Sequence, residues 1–279
     1  MPVARRHPLV LFFILAYALA WTLWVPAVVL QESVPALAPI SILIGSFAPS
    51  VAAILLTGLY EGRGQVKALL KRLLKWRVGF VWYLVVLLGP LIIVLVAAGL
   101  YALLGGPAPN LGSLLLLLPT LVYISILGGP LGEEPGWRGY ALPRLQASQS
   151  ALMASLILGI LWALWHLPLF LMEGTLHSQI PAVAFLVQVV ALAVLFTWVY
   201  NNTGGSVLMV LLFHGMWNSA PATVFSQAIR DPRLIWLYAG LVCVVAIAAA
   251  VLAGPGHLSR EHRKQEEPVI AAASAPRVS

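Results

Sequence analysis

Eight times along this chain, about twenty residues pass with almost no charge. The runs cover about Leu9 to Leu30, Pro39 to Tyr60, Val81 to Leu104, Leu111 to Leu127, Ala151 to Leu171, Ala182 to Tyr200, Val207 to Phe225 and Leu234 to Ala253. About 20 residues of α-helix cross a hydrocarbon core, and in lipid a helix satisfies its own backbone hydrogen bonds. The expected fold is all-α: a polytopic membrane helix bundle of about eight transmembrane helices. Composition agrees, with 61% hydrophobic and only 9% charged residues in 279, where soluble domains carry about 25% charge. That leaves no room for a large soluble domain. The single cysteine, Cys243, makes neither an intrachain disulfide nor a cysteine-rich zinc cluster.

Between the second and third runs lies a segment of a different kind. From Glu61 to Arg77 it carries Arg63, Lys67, Lys71, Arg72, Lys75 and Arg77. Val66, Leu69, Leu70, Leu73 and Leu74 recur at helical spacing. This reads as an interfacial amphipathic helix whose basic face meets lipid headgroups. With the N-terminus in the cytoplasm, all Lys and Arg except Arg230 and Arg233 fall on the cytoplasmic side. The expectation is an integral protein of the plasma (inner) membrane with both termini cytoplasmic. The net charge of +7 is then a topology signal, and no nucleic-acid partner is expected. Ala18-Leu19-Ala20 resembles a signal cleavage site, but apolar residues continue past it, so an uncleaved first span is expected. The chain divides into 1–110, the first spans with the basic helix over 61–77; 111–226, a core; 227–254, the last span; and 255–279, a disordered cytoplasmic tail.

Few titratable residues lie against the apolar runs. They are Glu133, Glu134, Arg138, His166 and His214, joined by Asn218. Glu32, Glu61, Glu173 and Asp231 belong to loops, and His7, His177, His257 and His262 are terminal or in a loop. Ionisable groups inside a membrane are costly and mark function. Gly128-Gly129-Pro130 and Pro135 suggest a helix starting near Glu133. Glu134 and Arg138 stand four apart in acid-first order and can pair, which leaves Glu133 as the free carboxylate, on a face shared with Trp137 and Tyr140. His166 lies in Trp162-Ala163-Leu164-Trp165-His166, and His214 and Asn218 share one helix face. Counted from a turn near Ser148, Glu133 and His166 reach similar heights in an antiparallel hairpin. Taken singly, these features also fit a helix-terminal ion pair, a satisfied core histidine and an interhelical hydrogen-bond clip.

At these residues the chain resembles the CPBP intramembrane proteases, a family that includes CAAX prenyl proteases and Abi-like bacteriocin-immunity proteins. Glu133, Glu134 and Arg138 match its Glu-Glu-x-x-x-Arg motif. Trp162 and His166 match its second motif, in which Phe is commoner than Trp four residues before the histidine. His214 and Asn218 match its third. The resemblance implies an endopeptidase in which Glu133 and His166 activate water, His214 and Asn218 stabilise the oxyanion, and Glu134 and Arg138 orient the site. The substrate would be a peptide or protein tail, with or without a lipid, and membrane lipids would be further partners. A mechanism without cofactor is expected, since the His-Glu-x-x-His zinc pair is missing. The alternative is zinc on Glu133, His166 and His214. A proton-coupled transporter and a non-catalytic immunity or scaffold protein stand as competing readings.

Overall fold

The computed structural model describes residues 7–226 and 228–259. Among these there is no strand. The first span is α1 (Pro8–Val29), and the second is α2 (Leu37–Gly45) with α3 (Ala48–Tyr60). The basic helix is α4 (Arg63–Lys71), followed by α5 (Phe80–Leu103). A 3-10 turn leads into α6 (Leu117–Leu127), then come α7 (Pro130–Gly136) and α8 (Leu142–Gln146). The remaining elements are α9 (Ala151–Trp165), α10 (Ala182–Asn202), α11 (Val207–Val224) and α12 (Pro232–Ala253). Seven segments are long and apolar enough to cross a membrane, or up to 8 with the bent pair Leu111–Leu127 and Pro130–Gln146.

Each span presents two faces. On α1 the inward stripe is Phe12, Ala16, Ala20 and Trp24, while Val10, Ile14, Val25 and Val29 are exposed. The four-residue spacing keeps small side chains on one helix face and lets neighbours approach closely. The exposed apolar side chains of α5 and α12, among them Leu88, Ile92, Val244 and Ile247, belong against lipid.

Three segments differ from the sequence expectation. The second span is broken at Ser46 and Phe47. Pro49 lacks the N–H that would continue the ladder, and the Ser46 hydroxyl donates to Leu43 O at 2.8 Å. The motif helix starts at Pro130, three residues before Glu133, and residues 132 to 142 are all buried within the protein. It turns through 51° from the preceding helix at Gly129, whose φ of 115° suits glycine. Between α7 and α8, Trp137–Ala141 form a π-helical stretch. Pro143 has no N–H to offer Gly139 O, and Arg72 Nη1 donates to that carbonyl instead, at 3.0 Å. Finally, the first residues of the expected tail are packed. Ala151 N and Leu152 N, free donors at the start of α9, bond to Gly256 O at 2.8 Å and Pro255 O at 3.1 Å. Residues 260–279 of that tail lie outside the described residues.

The short α7 sits at the centre and packs against α3, α6 and α11. Gly132 and Gly136, one turn apart, make this possible. A Cβ on Gly132 would stand 2.6 Å from Ser46 O, and one on Gly136 would meet the Pro49 backbone. The broken second span therefore lies directly on the motif helix, in a small-xxx-small contact.

Candidate active site in the membrane core

Burial between α3 and α11 holds Glu133 and Glu134 away from both lipid and bulk water. Glu133 is 4% exposed, Glu134 and Arg138 are fully buried, and His166 and His214 are buried. Successive residues of α7 point about 100° apart, so the two carboxylates serve different partners. Glu134 Oε1 accepts from Arg138 Nη1 at 2.9 Å and from His214 Nδ1 at 2.8 Å. The Arg138 guanidinium is sandwiched between aromatic faces, its Cζ 4.2 Å from the Trp162 ring centre and 4.5 Å from that of Phe196. Cation–π contact replaces part of the lost hydration.

The expected pairing of Glu134 with Arg138 is present. The expectation of a free Glu133 is not met, because Glu133 Oε2 accepts from two indoles. Trp162 Nε1 donates at 2.6 Å and Trp137 Nε1 at 3.3 Å. Oε1 faces Gly129, where a Cβ would come within 2.5 Å of it.

His166 ends α9, and its Nδ1 lies 2.8 Å from Trp162 O. A carbonyl only accepts, so Nδ1 carries the hydrogen and Nε2 of the neutral ring carries the lone pair. His214 is oriented by Glu134 through Nδ1, which leaves its Nε2 for the cavity. Trp162 is the hub. Its ring centre is 6.0 Å from that of His166 and 5.3 Å from that of His214, and its indole N–H reaches Glu133. Glu133, His166, His214 and Asn218 line one cavity of about 370 Å³. Glu133 and His166, on the two arms that meet near Ser148, thus face the same cavity.

One cavity residue escaped the sequence reading. His177 is a loop residue, as its sequence position implies, yet the loop after His166 folds back through 3-10 turns at Leu167–Leu171 and His177–Gln179. It brings the His177 ring onto that of His166, with centroids 5.5 Å and planes 24° apart. Half-buried beside Phe170 and Phe185, His177 has its pKa pushed down to about 4 by desolvation. No local pattern in the sequence signals this return. Gln188 of α10 also lines the cavity.

As they stand, Glu133, His166 and His214 do not group closely enough to hold a metal ion, and no other His, Cys, Asp or Glu trio does among the described residues.

The fold and the site together define a helical membrane bundle with a carboxylate and imidazoles gathered around a buried cavity. Residues 114–220 match the family model described as Type II CAAX prenyl endopeptidase Rce1-like, a stretch that contains all seven motif residues. The chain is also similar to "CAAX prenyl protease 2" of Methanococcus maripaludis, 32% identical over 92 residues, which is 31% of this chain and 34% of the relative. It thus spans about a third of the length of the curated relative it matches. Over residues 114–220 the chain is thus similar to this endopeptidase family.

Proposed function

We propose that the chain is an intramembrane endopeptidase that hydrolyses peptide bonds with water activated by Glu133. One observation carries this reading: Glu133, His166, His214 and Asn218, far apart in sequence, line one buried cavity. The matched family is one of proteases, which favours hydrolysis over the carrier and scaffold readings.

Glu133 Oε1 takes a proton from a water that also donates to His166 Nε2. The water oxygen forms the C–O bond to the peptide carbonyl. Negative charge moves to the carbonyl oxygen, which accepts from the Asn218 amide. His214, held at Nδ1 by Glu134, lines the same cavity and adds its ring to this oxyanion site. Collapse of the tetrahedral intermediate breaks the C–N bond, and Glu133 returns its proton to the leaving amine. Fixed donors in a low-dielectric pocket stabilise developing charge strongly, and the positioned base contributes roughly 10²–10⁴ in rate.

The substrate is a peptide or protein tail. Ile42, Ile124, Leu127, Val189, Leu192 and Ile235 on the cavity wall suit an apolar chain attached to it, as the relative's printed name suggests. The distribution of Lys and Arg supports cytoplasmic termini and a cytoplasmic approach to the site, and the exposed Arg63, Lys67 and Lys71 of α4 support contact with anionic headgroups. The test uses proteoliposomes and paired peptides with and without a thioether-linked isoprenoid, read by mass spectrometry with and without chelator. Chelator-resistant cleavage at one bond, faster for the lipidated peptide, is expected. Cleavage abolished by chelator and restored by zinc would overturn the metal-free route, and no cleavage of either peptide would overturn the endopeptidase reading.

A further inference from the structure

The two oxygens of Glu133 are not equivalent. Oε2 receives Trp162 Nε1–H at 2.6 Å and Trp137 Nε1–H at 3.3 Å. Oε1 has no hydrogen-bond donor among the described residues, lies beside Gly129, and belongs to a residue that lines the cavity. An unrestrained carboxylate turns about its last bond and presents either oxygen. One that is tied at Oε2 presents a single oxygen in a fixed direction.

The geometry points to Trp162 as a positioning residue: its indole N–H, seconded by that of Trp137, ties Glu133 Oε2 and leaves Oε1 as the oxygen that exchanges protons with the attacking water. This rests on the endopeptidase reading. Phenylalanine in the same place keeps a ring against Arg138 and His214 but has no N–H. The two indoles divide the work. The shorter bond is Trp162's. Trp137 is fully buried and packs on Phe12, Phe13 and Trp165, so its larger part is structural.

The experiment compares Trp162→Phe, Trp137→Phe and Glu133→Gln in detergent, reading kcat, KM, thermal unfolding and the indole N–H resonances of ¹⁵N-tryptophan-labelled protein. Trp162→Phe is expected to lower kcat roughly 10- to 100-fold, as for a lost hydrogen bond to a charged group, with KM within about twofold. Trp137→Phe is expected to lower the unfolding temperature more and kcat less, an order that packing alone would not produce. Glu133→Gln is expected to move the Trp162 indole resonance, a readout independent of turnover. Full kcat in Trp162→Phe, or an unmoved indole resonance in Glu133→Gln, would overturn the assignment. If wild-type protein cleaves nothing, the endopeptidase reading falls first, and the assignment falls with it. If Glu133→Gln is inactive while Trp162→Phe turns over normally, only the assignment falls.

Discussion

Glu134 illustrates how a buried charge is kept. It is shared between Arg138 and His214, and Arg138 has no other carboxylate within ion-pair reach among the described residues. Replacing Glu134 by Gln leaves a guanidinium uncompensated in the core. The expected cost is about 3–5 kcal/mol, read as unfolding in a denaturing detergent, with Arg138→Gln close behind. His177 sets a pH dependence of its own. Its folded pKa of about 4 lies below the ordinary histidine value of about 6.5. Its contribution to stability is therefore fully present above about pH 6.5 and is lost as pH falls toward 4. His177→Phe keeps a ring on His166 and removes the titration. The difference in unfolding temperature between wild type and this variant is expected to narrow above neutrality and widen in the variant's favour between pH 6 and 4. At this scale the sequence was informative where spacing within one helix decides the contact, as for Glu134 with Arg138. It was silent where a contact depends on the tertiary path, as for the Trp162 indole on Glu133 or the return of His177 to His166.

The element most dependent on its surroundings is α7. It has seven residues, too few to be stable alone, and it carries two carboxylates. Its helical form comes from α3, α6 and α11 packed around it, and Gly132 is one of two points where the α2–α3 backbone comes closest. Gly132→Ala places a methyl 2.6 Å from Ser46 O, so backbone must move. A loss of about 1–3 kcal/mol is expected, with a larger effect on turnover than on folding because Glu133 follows directly. Measuring both quantities on the same preparation checks this. The apolar runs told of the second span but not its break, because hydropathy is blind to where a helix bends. Pro49 was the available signal. Likewise the periodicity of α4 was legible as amphipathic, whereas the inward reach of Arg72 to Gly139 O and to the Tyr200 hydroxyl, at 3.0 and 2.7 Å, was not. Those bonds tether the surface helix to the π-helical stretch beside the site.

Across the whole molecule, the lipid-facing shell and the buried site obey different rules. The shell needs only apolar side chains and closed backbone hydrogen bonds, so its helices were readable from run length. The site needs charge where charge is costly, so its residues stood out as exceptions to the same pattern. What hydropathy could not decide was whether Leu111–Leu127 and Pro130–Gln146 form one bent span or a re-entrant pair, since a buried motif segment is not a lipid-facing one. The central claim is that Glu133 Oε1, held in this cavity with His166 and His214, supplies the base for peptide hydrolysis. The most direct measurement is single-turnover cleavage by wild type and Glu133→Gln in the same proteoliposomes, with unfolding temperatures recorded beside it. The expected result is a fall of at least about 10²-fold in a variant that unfolds within a few degrees of wild type. Cleavage at an undiminished rate by a folded Glu133→Gln protein would contradict it.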